Sequence, residues 1–340
     1  MKTNLIIINN EKCFNKNGKI FCQNLEMKFL AKDLEKYFNI QLILRSSKVE
    51  PVHEITNPNT FISSNILFFL KNVLFSVFKS QTKYLIISIT PYTFLSFLIL
   101  FLFQKKIFLY LRSDGKREIS LILGNNFKII YKIVENLMSK YCELVIVNNE
   151  IIKNRRYHLV SPSSIDEDWF KNISTPTFEK IKLLYVGRIK VEKGIYSLIN
   201  IFDKVVTNKR DIILTLIGHG EKLKNLNSKI KLLPPISEKI NLIHQYDEHN
   251  IVILPSFTEG HPRVLVESLV RKRPVIIFDD IIHVKQNYNG VYVSKREPND
   301  LIKIVDYIIS NYSKIQKEME KNDCPTKEQF ILQLKKIINS

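Results

Sequence analysis

Glycine is scarce in this chain: nine of 340 residues, against a usual share of about 7%. Six of the nine fall between Gly187 and Gly290, so glycine is kept mostly where a side chain would not fit. The four cysteines, Cys13, Cys22, Cys142 and Cys324, form no C-x-x-C and have no histidine at ligand spacing. That excludes a disulfide framework and a zinc site, and makes a reducing, cytoplasmic setting the expectation. Long apolar runs are missing too. The nearest, Phe94 to Phe103, stops at Gln104-Lys105-Lys106, short of the roughly 18–20 residues a spanning helix needs; it reads as a buried or interfacial helix. Leu5–Ile8 is too short for a signal peptide and reads as a first strand. Acidic residues are outnumbered, 33 against 51 Lys and Arg, for a net charge of +18 spread along the chain. Such a surface suits polyanionic company: nucleic acid, an anionic membrane face or a phosphorylated substrate. A drift of composition toward Lys, Asn and Ile accounts for part of the same excess without any partner.

What is present is alternation. Short apolar runs rich in Ile, Leu and Val alternate with helical patterns almost end to end, the signature of βα units and parallel sheets. Leu5–Ile8, Gln41–Leu44, Tyr84–Ile89, Ile107–Leu111 and Leu144–Val147 read as strands of a first domain, with helices over Leu25–Phe38, Ile66–Phe78, Thr93–Phe103 and Phe127–Lys140. Asp166–Lys180 is polar and carries Pro176, so the linker is placed there, dividing the chain into domains 1–172 and 173–340. A second series of strands follows, Lys182–Val186, Ile212–Ile217, Lys231–Leu233, Ile251–Leu254, Val275–Phe278 and Val291–Val293, and Lys314–Ser340 reads as helices packing back on the body, on the first domain in one arrangement. Two doubly wound α/β domains facing across a cleft are the expected architecture.

Three segments of the second half follow strands and carry chemistry. Gly187-Arg188 with Lys193-Gly194 opens a helix, where unpaired N–H groups and two cations would clamp a phosphate or diphosphate; a solvated turn has the same composition. Gly218-His219-Gly220 reads either as close backbone approach to a ligand or as a plain tight turn. Pro255-Ser256 through Glu259-Gly260-His261-Pro262 to Glu267 puts one glutamate on a turn and a second, eight residues on, on a helix, so that they address different parts of an elongated ligand. The bland reading of Glu267 is a carboxylate complementing a helix dipole. Ligands of open α/β sheets bind at the carboxyl ends of the strands, so one edge can hold all three segments.

These residues, followed by Arg273-Pro274-Val275-Ile276 and Asn289-Gly290, stand in the order and approximate spacing of glycosyltransferase family 4, which the chain resembles strongly over about residues 180–310 and weakly upstream, through Asn148-Asn149, Val160-Ser161-Pro162, Asp166 and Phe170. The resemblance implies a GT-B fold and a retaining, nucleotide-sugar-dependent enzyme, with a UDP- or GDP-sugar as co-substrate and no cofactor or metal. It implies that Arg188 and Lys193 hold the diphosphate and neutralise charge on the leaving group, and that Glu267 binds the ribose hydroxyls. Glu259 would lie near the donor sugar, and Gly187, Gly218, Gly220, Gly260, His261 and Pro262 would line the donor site. The two glutamates are not read as a hydrolase acid/base pair.

The chain also departs from that family. Where many members carry a Gly-Gly loop, only Asn17-Gly18 stands after the first strand, as the acceptor-side candidate. Where several members place a histidine, Leu111-Arg112-Ser113-Asp114-Gly115 offers Arg112 and Asp114 to the reaction centre, or else a salt-bridged turn. Asp279-Asp280 replaces a glycine-rich loop. The helices over Phe61–Phe78 and Thr93–Lys106, rich in Phe and Leu and bounded by lysines, suit either a sheet-covering role or an anionic membrane interface. The expected function is transfer of a sugar to a hydroxyl of a glycan or lipid-linked acceptor in lipopolysaccharide or capsule synthesis, in the cytoplasm or at the inner face of its membrane. The rivals are a nucleotide-sugar epimerase or hydrolase of the same fold, and a non-enzymatic polyanion-binding protein; no nucleic-acid motif is present, so nucleic acid is not an expected partner.

Overall fold

The structure, a computed structural model, describes residues 2–22, 24–47, 53–206 and 211–340. The chain divides into two units, Met1–Pro162 with Glu328–Ser340, and Ser163–Lys327. In the first, the elements run β1 (Asn4–Lys16), β2 (Lys19–Cys22), α1 (Leu25–Leu34), β3 (Asn39–Ser46), β4 (His53–Ile55), β5 (Thr60–Ser63), α2 (Ile66–Ser76), β6 (Thr82–Ile87), α3 (Pro91–Leu102), β7 (Lys106–Leu111), α4 (Gly115–Leu123), α5 (Asn125–Tyr141), β8 (Glu143–Ile146) and β9 (His158–Leu159). The second holds β10 (Ile181–Val186), α6 (Ile195–Val206), β11 (Ile212–Ile217), β12 (Ile230–Leu233), α7 (Lys239–Glu248), β13 (Ile251–Leu254), α8 (Arg263–Val270), β14 (Val275–Phe278), β15 (Val291–Ser294), α9 (Pro298–Ser310) and α10 (Tyr312–Met319). The last helix, α11 (Lys327–Asn339), belongs almost wholly to the first unit.

Both units arrange their parallel strands by the same rule. The orders are β5-β3-β1-β6-β7-β8-β9 and β12-β11-β10-β13-β14-β15. In each, the strand order reverses beside the first strand, between β1 and β6 and between β10 and β13, which creates a crevice at the carboxyl ends of those strands. Ile7, Ile43, Leu85, Ile86, Leu109, Leu184, Leu214, Ile253 and Ile276 are fully buried, as expected of strands covered on both faces. Among the described residues, no helix is long and apolar enough to cross a membrane.

Three expectations are corrected. The boundary is not at 172/173, and Asp166–Lys180 is not a free linker: Ile165 and Trp169 are part of the second unit's core, which begins at Ser163. The polar backbone there is met by two fully buried arginines. Arg271 donates to the carbonyls of Trp169, Lys171 and Asn172 at 2.8, 2.7 and 3.0 Å, and Arg273 to that of Ser174 at 2.8 Å. Nor does the second domain run to residue 340: the last helix takes the alternative arrangement, with Phe330, Leu334 and Ile338 buried in the first unit's core and Phe330 lying edge-on to Phe29. Finally, Asn17-Gly18 does not end a βα loop. The first strand bulges between Ile8 and Lys12 and runs on to pair antiparallel with β2. Asn17 (φ 52°) and Gly18 (φ 80°) are the two-residue turn of that hairpin, the left-handed pair that an Asn-Gly sequence supplies. A Cβ on Gly18 would meet nothing within 4 Å, so its backbone angle alone explains the glycine.

Candidate functional site

At the switch point of the second sheet, the loop after β10 and the loop after β13 lie against one another. Gly194, in the left-handed region at φ 67°, leaves no room for a Cβ, which would sit 1.9 Å from the Pro255 carbonyl oxygen. Phe257 N–H donates to the Glu192 carbonyl at 3.0 Å across the same seam. This apposition delivers Lys193 to Glu259: Nζ stands 2.6 Å from Oε1, which also accepts from Ser256 Oγ at 2.7 Å. Both side chains of the pair are mostly, but not fully, withdrawn from solvent.

The loop after β11 is pulled in by backbone alone. Ile189 N–H donates to the His219 carbonyl at 2.8 Å, and a Cβ on Gly218 or Gly220 would strike the carbonyl oxygens of Gly187 and Ile189 at 1.8 and 2.1 Å. Neither a ligand nor a plain tight turn is needed to explain Gly218 and Gly220: close approach of one loop to the next accounts for both glycines. Arg188 is half-exposed, with Nη2 3.8 Å from Glu192 Oε1. The pKa of His219 is held below its ordinary value by burial first, and then by Arg188 and Lys190. Removing one of those cations must raise it, so Arg188→Gln should move the His219 titration upward in a histidine NMR experiment; an unchanged midpoint would show that Arg188 does not face the ring.

Glu267 lies on α8, in the interior. It is 4% exposed, and its oxygens accept from Ser164 Oγ at 3.1 Å and Tyr246 Oη at 2.7 Å. The partnership with Glu267 and the burial together push the Tyr246 phenol well above its ordinary pKa, burial being the larger cause. The structure therefore brings Lys193 and Glu259 into contact, holds Gly187, Arg188, Gly218 and Gly220 on the adjoining loops, and sets Glu267 behind them in a hydrogen-bonded cluster. Gly260, His261 and Pro262 form the turn into α8, whose N-cap position, Pro262, makes no side-chain cap hydrogen bond. The Leu265 N–H turns back to the Pro262 carbonyl at 3.1 Å, and no side chain at the N-cap competes with an anion for the N–H groups before it.

Arg112 and Asp114 belong to the first unit, at the end of β7, and both have structural work. Arg112 Nη1 is 3.5 Å from Glu26 Oε2, and Asp114 Oδ1 caps α4 by accepting from the N–H groups of Lys116 and Arg117 at 3.1 and 3.3 Å. The salt-bridged, capped turn is thus the reading that matches their contacts.

Three residues that sequence reasoning passed over also belong to the second unit's edge. Arg263, first residue of α8, has Nη1 buried without a hydrogen-bond partner and lies close enough to Tyr246 to lower its pKa. A cation at a helix N-terminus opposes the dipole, and that misfit was the available signal. Arg296, just beyond β15, donates to the Pro255 and Ser256 carbonyls at 2.8 and 3.2 Å and to Asp280 Oδ2 at 2.7 Å. Its guanidinium lies 4.0 Å from the Phe257 ring centroid and 4.6 Å from that of Phe278. His283 Nε2 donates to the Glu259 carbonyl at 2.7 Å. The segment from Asp279-Asp280 onward thus supports the Glu259 loop from behind, and no local sequence pattern announces either contact. Among the described residues there is no group of three or more His, Cys, Asp or Glu placed to hold a metal ion.

Residues 180–311 match the family model described as Glycosyl transferases group 1. The chain is 28% identical over 144 residues to an uncharacterized glycosyltransferase of Haemophilus influenzae, covering 39% of this chain and 40% of that protein. It is 26% identical over 142 residues to the capsular polysaccharide biosynthesis glycosyltransferase CapM of Staphylococcus aureus, covering 38% and 37%. These matches span about two-fifths of each relative's length. Among solved structures, sucrose-phosphate synthase of Thermosynechococcus elongatus superposes with a TM-score of 0.69 at 12% identity, over 99% of this chain and 98% of that one. HepE of Anabaena in complex with UDP gives 0.68 at 12% identity, with the same coverage. Such likenesses establish the GT-B fold. The sheet and loops that carry Arg188, Lys193, Glu259 and Glu267 thus lie within the residues that match the glycosyl transferases group 1 domain.

Proposed function

We propose that the protein is a retaining glycosyltransferase that moves a sugar from a nucleoside diphosphate to a hydroxyl of a glycan or lipid-linked acceptor in cell-surface polysaccharide synthesis. The observation that carries this reading is the Lys193–Glu259 pair, 2.6 Å apart, at the switch point of a group 1 domain. A cation and a carboxylate held on adjoining loops can part to serve the two ends of one ligand, Lys193 turning to the diphosphate and Glu259 to the sugar. Arg188 and the open N-terminus of α8 add positive potential where the leaving diphosphate gains charge. For Glu267 to take the ribose hydroxyls, one of them replaces the Ser164 hydroxyl on Oε1. That the HepE structure holds UDP supports a nucleotide-sugar donor. The function named for CapM supports a polysaccharide product. On the acceptor side, Asn10 Oδ1 and Glu26 Oε1, at the carboxyl edge of the first sheet, are buried acceptors without a hydrogen-bond partner among the described residues. Unpaired buried acceptors favour a ligand that brings hydroxyl donors.

The test is product analysis. The purified protein is offered UDP-, GDP- and ADP-sugars with membrane extracts, and products are read by mass spectrometry and anomeric NMR. A glycosylated acceptor with the donor's anomeric configuration is the expected result; inversion would overturn retention, and free sugar or a 2-epimer formed without acceptor would favour an epimerase or hydrolase instead. Because Arg188 and Lys193 supply the charge, activity should survive a chelator; loss restored only by a divalent ion would contradict that part of the mechanism.

A further inference from the structure

Helix α5 buries a narrow, partly polar side and leaves an apolar one to solvent. Its inward side is Tyr131, Glu135, Met138 and Ser139, with Glu135 Oε2 accepting from Lys116 Nζ at 2.9 Å. Its outward side is Ile130, Ile133, Leu137 and Tyr141, whose spacing of three, four and four residues lines one helical face. Ile133 is 64% exposed and Ile130 58%. Helix α4, packed against α5, buries no residue at all and presents Leu121, Ile122 and Leu123 to solvent. At the far end the apolar strip continues through ring contacts, from Tyr141 to Phe101 at 4.6 Å and from Phe103 to Phe78 at 5.9 Å. A contiguous apolar surface of this kind marks an interaction site.

Its charge selects the partner. Residues 65–141 hold eleven Lys and Arg against three Asp and Glu. All three acids are already engaged: Asp114 caps α4, Glu118 accepts from Ser113 Oγ, and Glu135 accepts from Lys116. Lys128 and Lys132 interleave with the exposed isoleucines, and Lys140 lies 5.3 Å from the Tyr141 ring centroid. We propose that the α4–α5 hairpin is the face by which this protein docks on an anionic lipid bilayer, with the isoleucine stripe at the boundary of headgroups and acyl chains and the lysines reaching lipid phosphates. A second copy of the chain is the poorer occupant, because it would set one strongly cationic face against another. This surface uses none of the donor-site residues, and its test needs neither nucleotide nor sugar, so its failure leaves the transferase reading intact.

The experiment is flotation of the full-length protein with vesicles of phosphatidylcholine alone or mixed with phosphatidylglycerol. Binding should require phosphatidylglycerol. Ile130→Ser with Ile133→Ser should weaken it by about tenfold or more, and Lys128→Glu with Lys132→Glu by at least roughly 25-fold, about fivefold for each cation lost. All four positions are exposed, so the variants should retain the parent's circular dichroism. As a readout independent of affinity, a polarity-sensitive fluorophore on Ile133→Cys should shift to the blue with anionic vesicles, and the same label on Tyr307→Cys, exposed in the second unit, should not. Burial pushes the Cys142 thiol up to about 12 and the Cys324 thiol up to about 11, so the native thiols label slowly. Equal flotation with both vesicle types, undiminished binding by the serine variant, or a lipid-free dimer that the serine substitutions dissolve would each overturn the proposal.

Discussion

Lys193→Ala is expected to lower kcat by on the order of 10²–10³ while leaving the circular dichroism spectrum of the parent. In the free protein, the ammonium is held 2.6 Å from Glu259 Oε1 by a loop whose path Gly194 fixes against Pro255. In the proposed reaction it is released to the diphosphate, where negative charge grows as the glycosidic bond breaks. An interaction that strengthens in the transition state shows in kcat more than in KM, so steady-state kinetics with the natural donor should show a small rise in KM beside the large fall in turnover. Fold survives because Glu259 keeps the Ser256 hydroxyl and remains partly solvated after the lysine is gone. Arg188→Ala should act in the same direction. Full turnover in both variants would remove the donor site from these loops.

The largest effect on stability is expected from Asp247→Ala. Asp247 receives Arg271 in two hydrogen bonds, 2.9 Å at Oδ1 and 2.6 Å at Oδ2, and lies 3.5 Å from Arg273 Nη2. Both guanidiniums are 0% exposed. Burial lowers the pKa of Arg273, with Asp247 among the groups that counter it. Truncating the carboxylate strands two buried cations, and breaking a buried ion pair from one side costs about 3–5 kcal/mol. For a unit of this size, that corresponds to a drop of roughly 10 °C in melting temperature, measurable by scanning calorimetry. Asp247→Asn keeps acceptor geometry without charge and should fall between the two. Since the same arginines tie down the carbonyls from Trp169 to Ser174, limited proteolysis of Asp247→Ala should open that segment first. A variant that melts with the parent would show that the carbonyls alone suffice to hold these arginines.

Much of the second unit was legible in sequence because its signals are local. The strands at Ile212–Ile217, Ile251–Leu254 and Val275–Phe278 are those expected, residue for residue, since a short apolar run bounded by a turn leaves little freedom in where a buried strand begins and ends. The first unit was less legible. The hairpin of β1 and β2, the short strands β4, β5 and β9, and helix α4 escaped notice, because strands of two to four residues are defined by their partners and α4 has no buried face to betray it. The polar, proline-bearing segment at 166–180 looked like a linker for the same reason: composition reports the polarity of a segment, not whether its carbonyls find donors.

The amino-acid order by itself determined two parallel-sheet α/β units and collected Arg188, Lys193, Glu259 and Glu267 at the ends of strands of one sheet, because period, turn chemistry and strand length act over neighbouring residues. Tertiary structure alone decided that Lys193 meets Glu259, that Glu267 is held between Ser164 and Tyr246, that Arg271 and Arg273 capture the chain from Trp169 to Ser174, and that the last helix joins the first unit. The hydrogen-bonded partners among these stand up to 103 residues apart, and Phe330 of the last helix packs on Phe29 near the other end of the chain. Which distant groups share a desolvated space is set by how the sheets close their cores, and no window along the chain contains that information.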